Sequence, residues 1–275
     1  MLAETVKVGS VGALYRFPVK SMMGEELNAA SVGSKGIVGD RLFALSDPAT
    51  GKIASAKNPS KWPNLFSFHA TYTEPLNGGK IPPVRITLPN GETILSDAAN
   101  VSAVLSETLG KPVEFLSGAP SSGTLEEYWP DIEGLARRDE VTNEAMPAET
   151  FFDVGIVHVV TTATLDELRK NYPEGRVEAR RFRPNIVVST LPEVTGFAEK
   201  DWVGKVLCIG EAVKLKVTIQ CGRCVMTTLA QSDLPKDAGI LRAAAKHNGA
   251  NVGIYATVVQ GGKIRRGDTI TLADE

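Results

Sequence analysis

Residues 220–229, QCGRCVMTTL, set Cys221 and Cys224 three positions apart with Arg223 between them, in a chain that has only three cysteines. A thiol pair of this spacing can serve several chemistries. A structural zinc site needs four ligands, usually from a second Cys-x-x-Cys or a histidine pair. Beyond the pair the chain offers only Cys208 and the scattered His69, His158 and His247, which argues against zinc. A thioredoxin-type redox pair opens a helix after a strand in a βαβ unit. Here VMTTL follows, within strand-rich surroundings. A third chemistry is a single soft thiolate ligand to a transition metal, with Arg223 beside it holding something anionic. Two buried structural thiols remain open as well.

The other cationic positions bear on that choice. Pro18-Val19-Lys20-Ser21 follows the first strand-like run, Gly39-Asp40-Arg41 begins another, and Arg183-Pro184-Asn185 stands just before IVVS. All lie at strand ends, where loops build sites. Taken singly, each is an ordinary solvated charge; gathered together, they would make a local anion pocket. Such a pocket must be local, because 30 Lys and Arg against 32 Asp and Glu give a net charge of -2. That balance offers no field for nucleic acid or a membrane surface.

The chain must position these residues on a mostly β framework. With 275 residues and 43% hydrophobic content it can bury one large core or two modest ones. VGALYRF, RLFALS, KIASA and LFSFHATYT alternate apolar and polar residues between turn signals. Residues 47–51, DPATG, and Asn90-Gly91 between VRITL and ETILS read as hairpin loops. Asp97 is expected to cap a helix reaching about Leu109, with Gly110 as its stop. SGAPSSG at 117–123 is the expected junction between two modules, residues 1–118 and 119–275. Residues 124–150 lack periodicity and are expected to be irregular.

In the second module, FFDVGIVHVV, NIVVS, VLCIG and VKLKVTI read as strands. Thr164 and Glu167 have capping-box spacing ahead of a helix that Pro173 ends. AGILRAAAKHNG reads as a helix stopping near Gly249, and VGIYATVV with Gly261-Gly262 and DTITL as a closing hairpin. His158 and Cys221 are expected to be packing or helper residues, and Trp62, Trp129 and Trp202 to bury area. No apolar run reaches the roughly 18 residues of a membrane span. The opening MLAETVKVGS lacks the build of a signal peptide, so a cytoplasmic address is expected. Asn100-Val101-Ser102 is then a chance glycosylation match.

At this point the motifs carry a resemblance. YRFPVKSMMGEEL and GIVGDRLFAL resemble the N-terminal β-barrel module of MOSC proteins. RFRPNIVV, FAEKDWVGKVLCIGEAVKLKV, CGRCVMTTL, GIYATVV and GKIRRGDTITL resemble the MOSC domain itself. The resemblance implies a mostly β (α+β) fold with a β-barrel-like first module and a β-barrel MOSC domain carrying a few short helices. It also implies bound molybdenum cofactor, with Cys224 as the thiolate on molybdenum. Lys20, Ser21, Arg41, Arg183, Asn185, Gly222, Arg223 and Tyr255 match positions that hold the pterin and its phosphate. The implied activity is reduction of N-hydroxylated small molecules by oxygen-atom removal. Electrons would come from a separate ferredoxin-, flavin- or cytochrome-type protein. The alternative is a non-catalytic cofactor carrier or a persulfide sulfur-transfer protein. TTLAQSDLPKDAG departs from the acidic pattern of better-known members after the cysteine, and Gly222 stands where a serine is common.

Overall fold

Seven strands carry the larger core: β1 Thr5–Arg16, β2 Val157–Thr161, β3 Ile186–Thr190, β4 Val206–Ile209, β5 Val213–Gly222, β6 Asn251–Gln260 and β7 Thr269–Ala273. In the computed structural model, which describes residues 5–76 and 80–274, they pair in the order β3-β2-β6-β5-β4-β7-β1. A further β1–β3 ladder closes them into a barrel. Every ladder is antiparallel except β2–β3. Parity requires this: a closed ring with an odd number of strands cannot alternate direction all the way round. A parallel pair needs a crossover, and helix α2, Thr162–Asn171, supplies it.

The sequence explains both faces. In β5, Val213, Leu215 and Val217 point into the barrel while Lys214 faces water, the period-two pattern of a half-buried strand. Strand β2 is buried at all of its positions. Its outer face is covered by α2 and by α3, Gly239–Asn248, through Leu165, Leu168, Ile240 and Ala244. A parallel pair buried on both sides reads as a continuous apolar run, as VHVV does.

A second core gathers Val19, Met22, Phe68, Ala70, Ile86 and Leu105. It is built from the sheet His69–Tyr72, Val84–Thr87 and Thr93–Leu95, with α1, Val101–Leu109, and the pair Ala44–Ser46 and Glu114–Leu116 beside it. Cys224 and Met226 pack into this same core, so the turn after β5 joins the two. Strand β1, from the first expected module, forms ladders with β3 and β7 of the second.

The hairpin loops at 47–51 and 90–91 are as expected; Asp47 N–H donates to Lys52 O at 2.8 Å and Leu88 N–H to Glu92 O at 2.8 Å. Four local expectations are corrected. Helix α1 is preceded by Asn100, not Asp97. Helix α2 is capped by Thr161, whose Oγ1 accepts from Thr164 N–H at 3.0 Å, one turn before the capping box suggested. Residues 124–150 contain an antiparallel hairpin, Thr124–Trp129 with Glu140–Ala145. The last strands do not close on one another: Gly262–Arg265 pairs with Ala29–Gly33, and β7 pairs with β1 and β4. Barrel closure wins over the local hairpin.

Candidate functional site

The site lies at one mouth of the barrel, where β1 ends and β2 and β3 begin; β6, antiparallel to β2, passes there at Tyr255, and the turn after β5 reaches the same cavity. The ladder partners Leu14 with Ile186, His158 with Tyr255, and Gly222 with Asn251 fix that alignment. Two register shifts in β5, at 217–219 and 220–222, precede Arg223. Bulges of this kind re-aim side chains near sites.

A cavity with about 100 Å³ of free space sits at this mouth. All nine residues singled out from the sequence line it: Lys20, Ser21, Arg41, Arg183, Asn185, Gly222, Arg223, Cys224 and Tyr255. Three of them have a left-handed backbone, Ser21 with φ 62°, Arg41 with φ 47° and Arg183 with φ 54°. Non-glycine residues rarely adopt it, and such strain clusters where surrounding structure must aim a side chain.

Arg41 and Arg183 both lie over the ring of Phe17, at 4.5 and 4.2 Å. Arg41 pairs with Asp40, whose carboxylate also accepts from Phe17 N–H at 2.7 Å and from Asn185 Nδ2 at 2.9 Å. Asn185 Oδ1 accepts from His158 N–H at 3.0 Å. The Asn185 amide is thus engaged by the protein and braces the mouth. Arg183 is 6% exposed, and its Nη1 meets no partner. Burial, followed by the nearby Arg41 charge, pulls its guanidinium down to about 9. Arg223 likewise keeps a buried Nε without a partner.

Sequence reasoning missed Lys57 and Asp153, which also line the cavity. Asp153 pairs with Lys20 and, at 3.7 Å, with Lys57; Lys57 reaches Glu127 at 2.9 Å. Burial pushes the Asp153 carboxyl up, but Lys20 and Lys57 together hold it well below the usual range. Lys20 also donates to Phe151 O at 2.8 Å. Gly155 lets this segment approach: a Cβ there would lie 2.5 Å from Tyr255. At Gly222 a Cβ would meet nothing closer than Asn251 Oδ1 at 3.9 Å, so room for a side chain exists.

The two thiols differ. Burial pushes Cys224 up to about 11, against the pull of Lys57. Burial also raises Cys221, but Arg223, then His158 and Tyr255, outweigh it and bring the thiol down to about 6. Among the described residues no group of three or more His, Cys, Asp or Glu could hold a metal ion. A metal at Cys224 would thus find no set of three such side chains among the described residues to hold it. Orphaned guanidinium nitrogens, five lining cations and a lone thiol fit an anionic ligand that brings its own metal donors.

The closed barrel with a cationic cavity at its mouth defines a β-barrel protein, and the family follows. The chain belongs to the MOSC family: residues 150–271 match the MOSC domain and residues 8–114 the MOSC N-terminal beta barrel domain. The family is associated with molybdenum cofactor binding. Over 238 residues the chain is 25% identical to mitochondrial amidoxime-reducing component 1 of Mus musculus, covering 81% of this chain and 66% of that protein. It therefore spans just under two thirds of that relative. The YUAD protein from Bacillus subtilis aligns over 100% of both chains at 13% identity with a TM-score of 0.49. YiiM from Geobacillus stearothermophilus aligns over 44% of this chain and 55% of that one, at 20% identity and a TM-score of 0.33. Among the described residues no helix is long and apolar enough to cross a membrane.

Proposed function

We propose that the chain binds molybdenum cofactor at the barrel mouth and reduces N-hydroxylated small molecules, drawing electrons from a separate ferredoxin-, flavin- or cytochrome-type protein. The observation that carries this is the set of buried donors without partners, Arg183 Nη1 and Arg223 Nε, in the cavity that Cys224 also lines. When bound, the group supplies two-electron oxygen-atom transfer; the protein supplies position and charge. Arg183, Arg41 and Lys20 hold the phosphate, each charge-assisted bond contributing about 1.5–3 kcal/mol. Cys224 gives up its proton to become the protein's metal ligand, which makes loading easier as pH rises. Phe152 and Phe182 line the walls and exclude water.

A carrier or sulfur-transfer role is favoured by one observation, the burial of Cys224 to 9% exposure within the second core. Turnover separates the two. Protein from a host that makes the cofactor should hold near-stoichiometric molybdenum and pterin and reduce a benzamidoxime repeatedly with an artificial reductant. Cys224→Ser should lose the metal and all turnover while melting as the wild type does. Bound cofactor without turnover would establish the carrier, and absence of both metal and pterin would overturn the cofactor assignment.

A further inference from the structure

Cys221 is fully buried and does not line the cavity, so it can neither meet a ligand nor act as an accessible nucleophile. Its surroundings nonetheless favour an anion. Arg223 Nη1 donates to Cys221 Sγ at 2.7 Å. His158 of β2 and Tyr255 of β6, partners across their ladder, also act to lower the thiol. Their rings lie 5.5 Å apart. Gly253, with φ +85°, is the reason this packing is possible, because a Cβ there would lie 2.4 Å from His158 Nε2. Among the described residues no Asp or Glu forms an ion pair with Arg223, whereas Arg41 at the same cavity pairs with Asp40. The second fixed point of the guanidinium is Phe182 O, which accepts from Nη2 at 3.0 Å. Nη1 and Nη2 each have a protein acceptor, and Nε is left without a partner among the described residues.

We infer that Cys221 is a positioning residue: its sulfur, as a buried counter-ion in place of a carboxylate, fixes the Arg223 guanidinium so that Nε serves an anionic ligand in the cavity. The two cysteines are then not an exchangeable pair. The role rests on the anion-binding part of the proposed function and not on its redox chemistry. An anion suits the position because the sulfur is fully buried and takes a charged donor from Arg223.

The test uses the full-length chain purified without cofactor. Wild type and Cys224→Ser should both show ultraviolet thiolate absorbance at neutral pH. Cys221→Ser and Arg223→Met should both lack it, the second because the thiol loses its charged partner. Inorganic phosphate, followed by calorimetry, should bind Cys221→Ser about tenfold more weakly than wild type, the loss expected for one misplaced charge-assisted bond. Cys221→Asp should recover part of that affinity, which a purely packing role would not allow. No thiolate in the wild type overturns the inference, as does equal phosphate affinity in Cys221→Ser. Should Cys221→Ser fail to fold, the Arg223→Met absorbance decides alone, and a thiolate that survives there overturns it. If the thiolate and phosphate results hold while protein from a cofactor-making host carries no pterin, the cofactor assignment falls and the Cys221–Arg223 pair stands.

Discussion

Arg183 is a buried cation with an amino group that has no hydrogen-bond partner among the described residues, set against Phe17 and Phe66 with a second arginine across the first ring. Keeping such a charge inside the protein is costly. In the cofactor-free protein, Arg183→Met should therefore raise the melting temperature, by about 2–4 °C per kcal/mol relieved, while lowering pterin content in protein from a cofactor-making host. A fall in melting temperature would mean that Arg183 holds the fold and not a ligand. Arg183 was legible in the sequence because RPN stands directly before a strand. Lys57 and Asp153 were not. Lys57 reads as one more loop lysine in SAKNPSK, and Asp153 is hidden in an apolar run taken for strand; their meeting depends on how distant segments pack. A buried pair of this kind has a measurable consequence. Glu127→Gln removes the closest partner of Lys57 and should cost about 3 kcal/mol, the lower end for breaking a buried pair since Asp153 remains. Urea denaturation checks it.

Elements explain how that pair is delivered. In the hairpin of Thr124–Trp129 and Glu140–Ala145, Tyr128 N–H donates to Lys57 O at 2.8 Å and Ile53 bridges Leu125, so the hairpin carries Glu127 and braces Lys57. Its second strand has no buried position, which is why no alternation marked it. Helix α2 offers a separate test. Thr161 and Thr164 hydroxyls both donate to Glu199 Oε2, and Oε1 has no partner. Burial raises this carboxyl above its ordinary value, with the two threonine bonds opposing. Folding thus increases its proton affinity, so its favourable contribution is complete below the usual glutamate value of about 4.3 and is lost as pH rises through the higher folded value. Glu199→Gln should gain in melting temperature relative to wild type between acidic and neutral pH, and a constant difference would refute the raised value. The capping box at Thr164 and Glu167 misplaced the helix start because Thr161, a β-branched residue ending a strand, also serves as the cap.

For the whole molecule, most strands were legible from their alternation, and the closed ring was not. Closure is a long-range fact: β1 sits among residues that read as the first module but contributes Val8, Val11 and Leu14 to the barrel core. Residues 119–275 expressed alone should consequently fail to give a cooperative melting transition, since β3 and β7 each lose a partner. Circular dichroism melting would show it, and adding residues 5–34 as a peptide should restore part of the transition. Loss of only the mouth, with an intact transition, would mean the ring tolerates a gap. The same topology sets a timetable. Within the barrel, β1 is made before both of the strands that hold it, β3 and β7. At about 5–20 residues per second, synthesis keeps β1 waiting for tens of seconds with its apolar face and both edges open. Growth of the chain therefore creates a long window in which something else must shield that strand, and β7 is the latch that ends it.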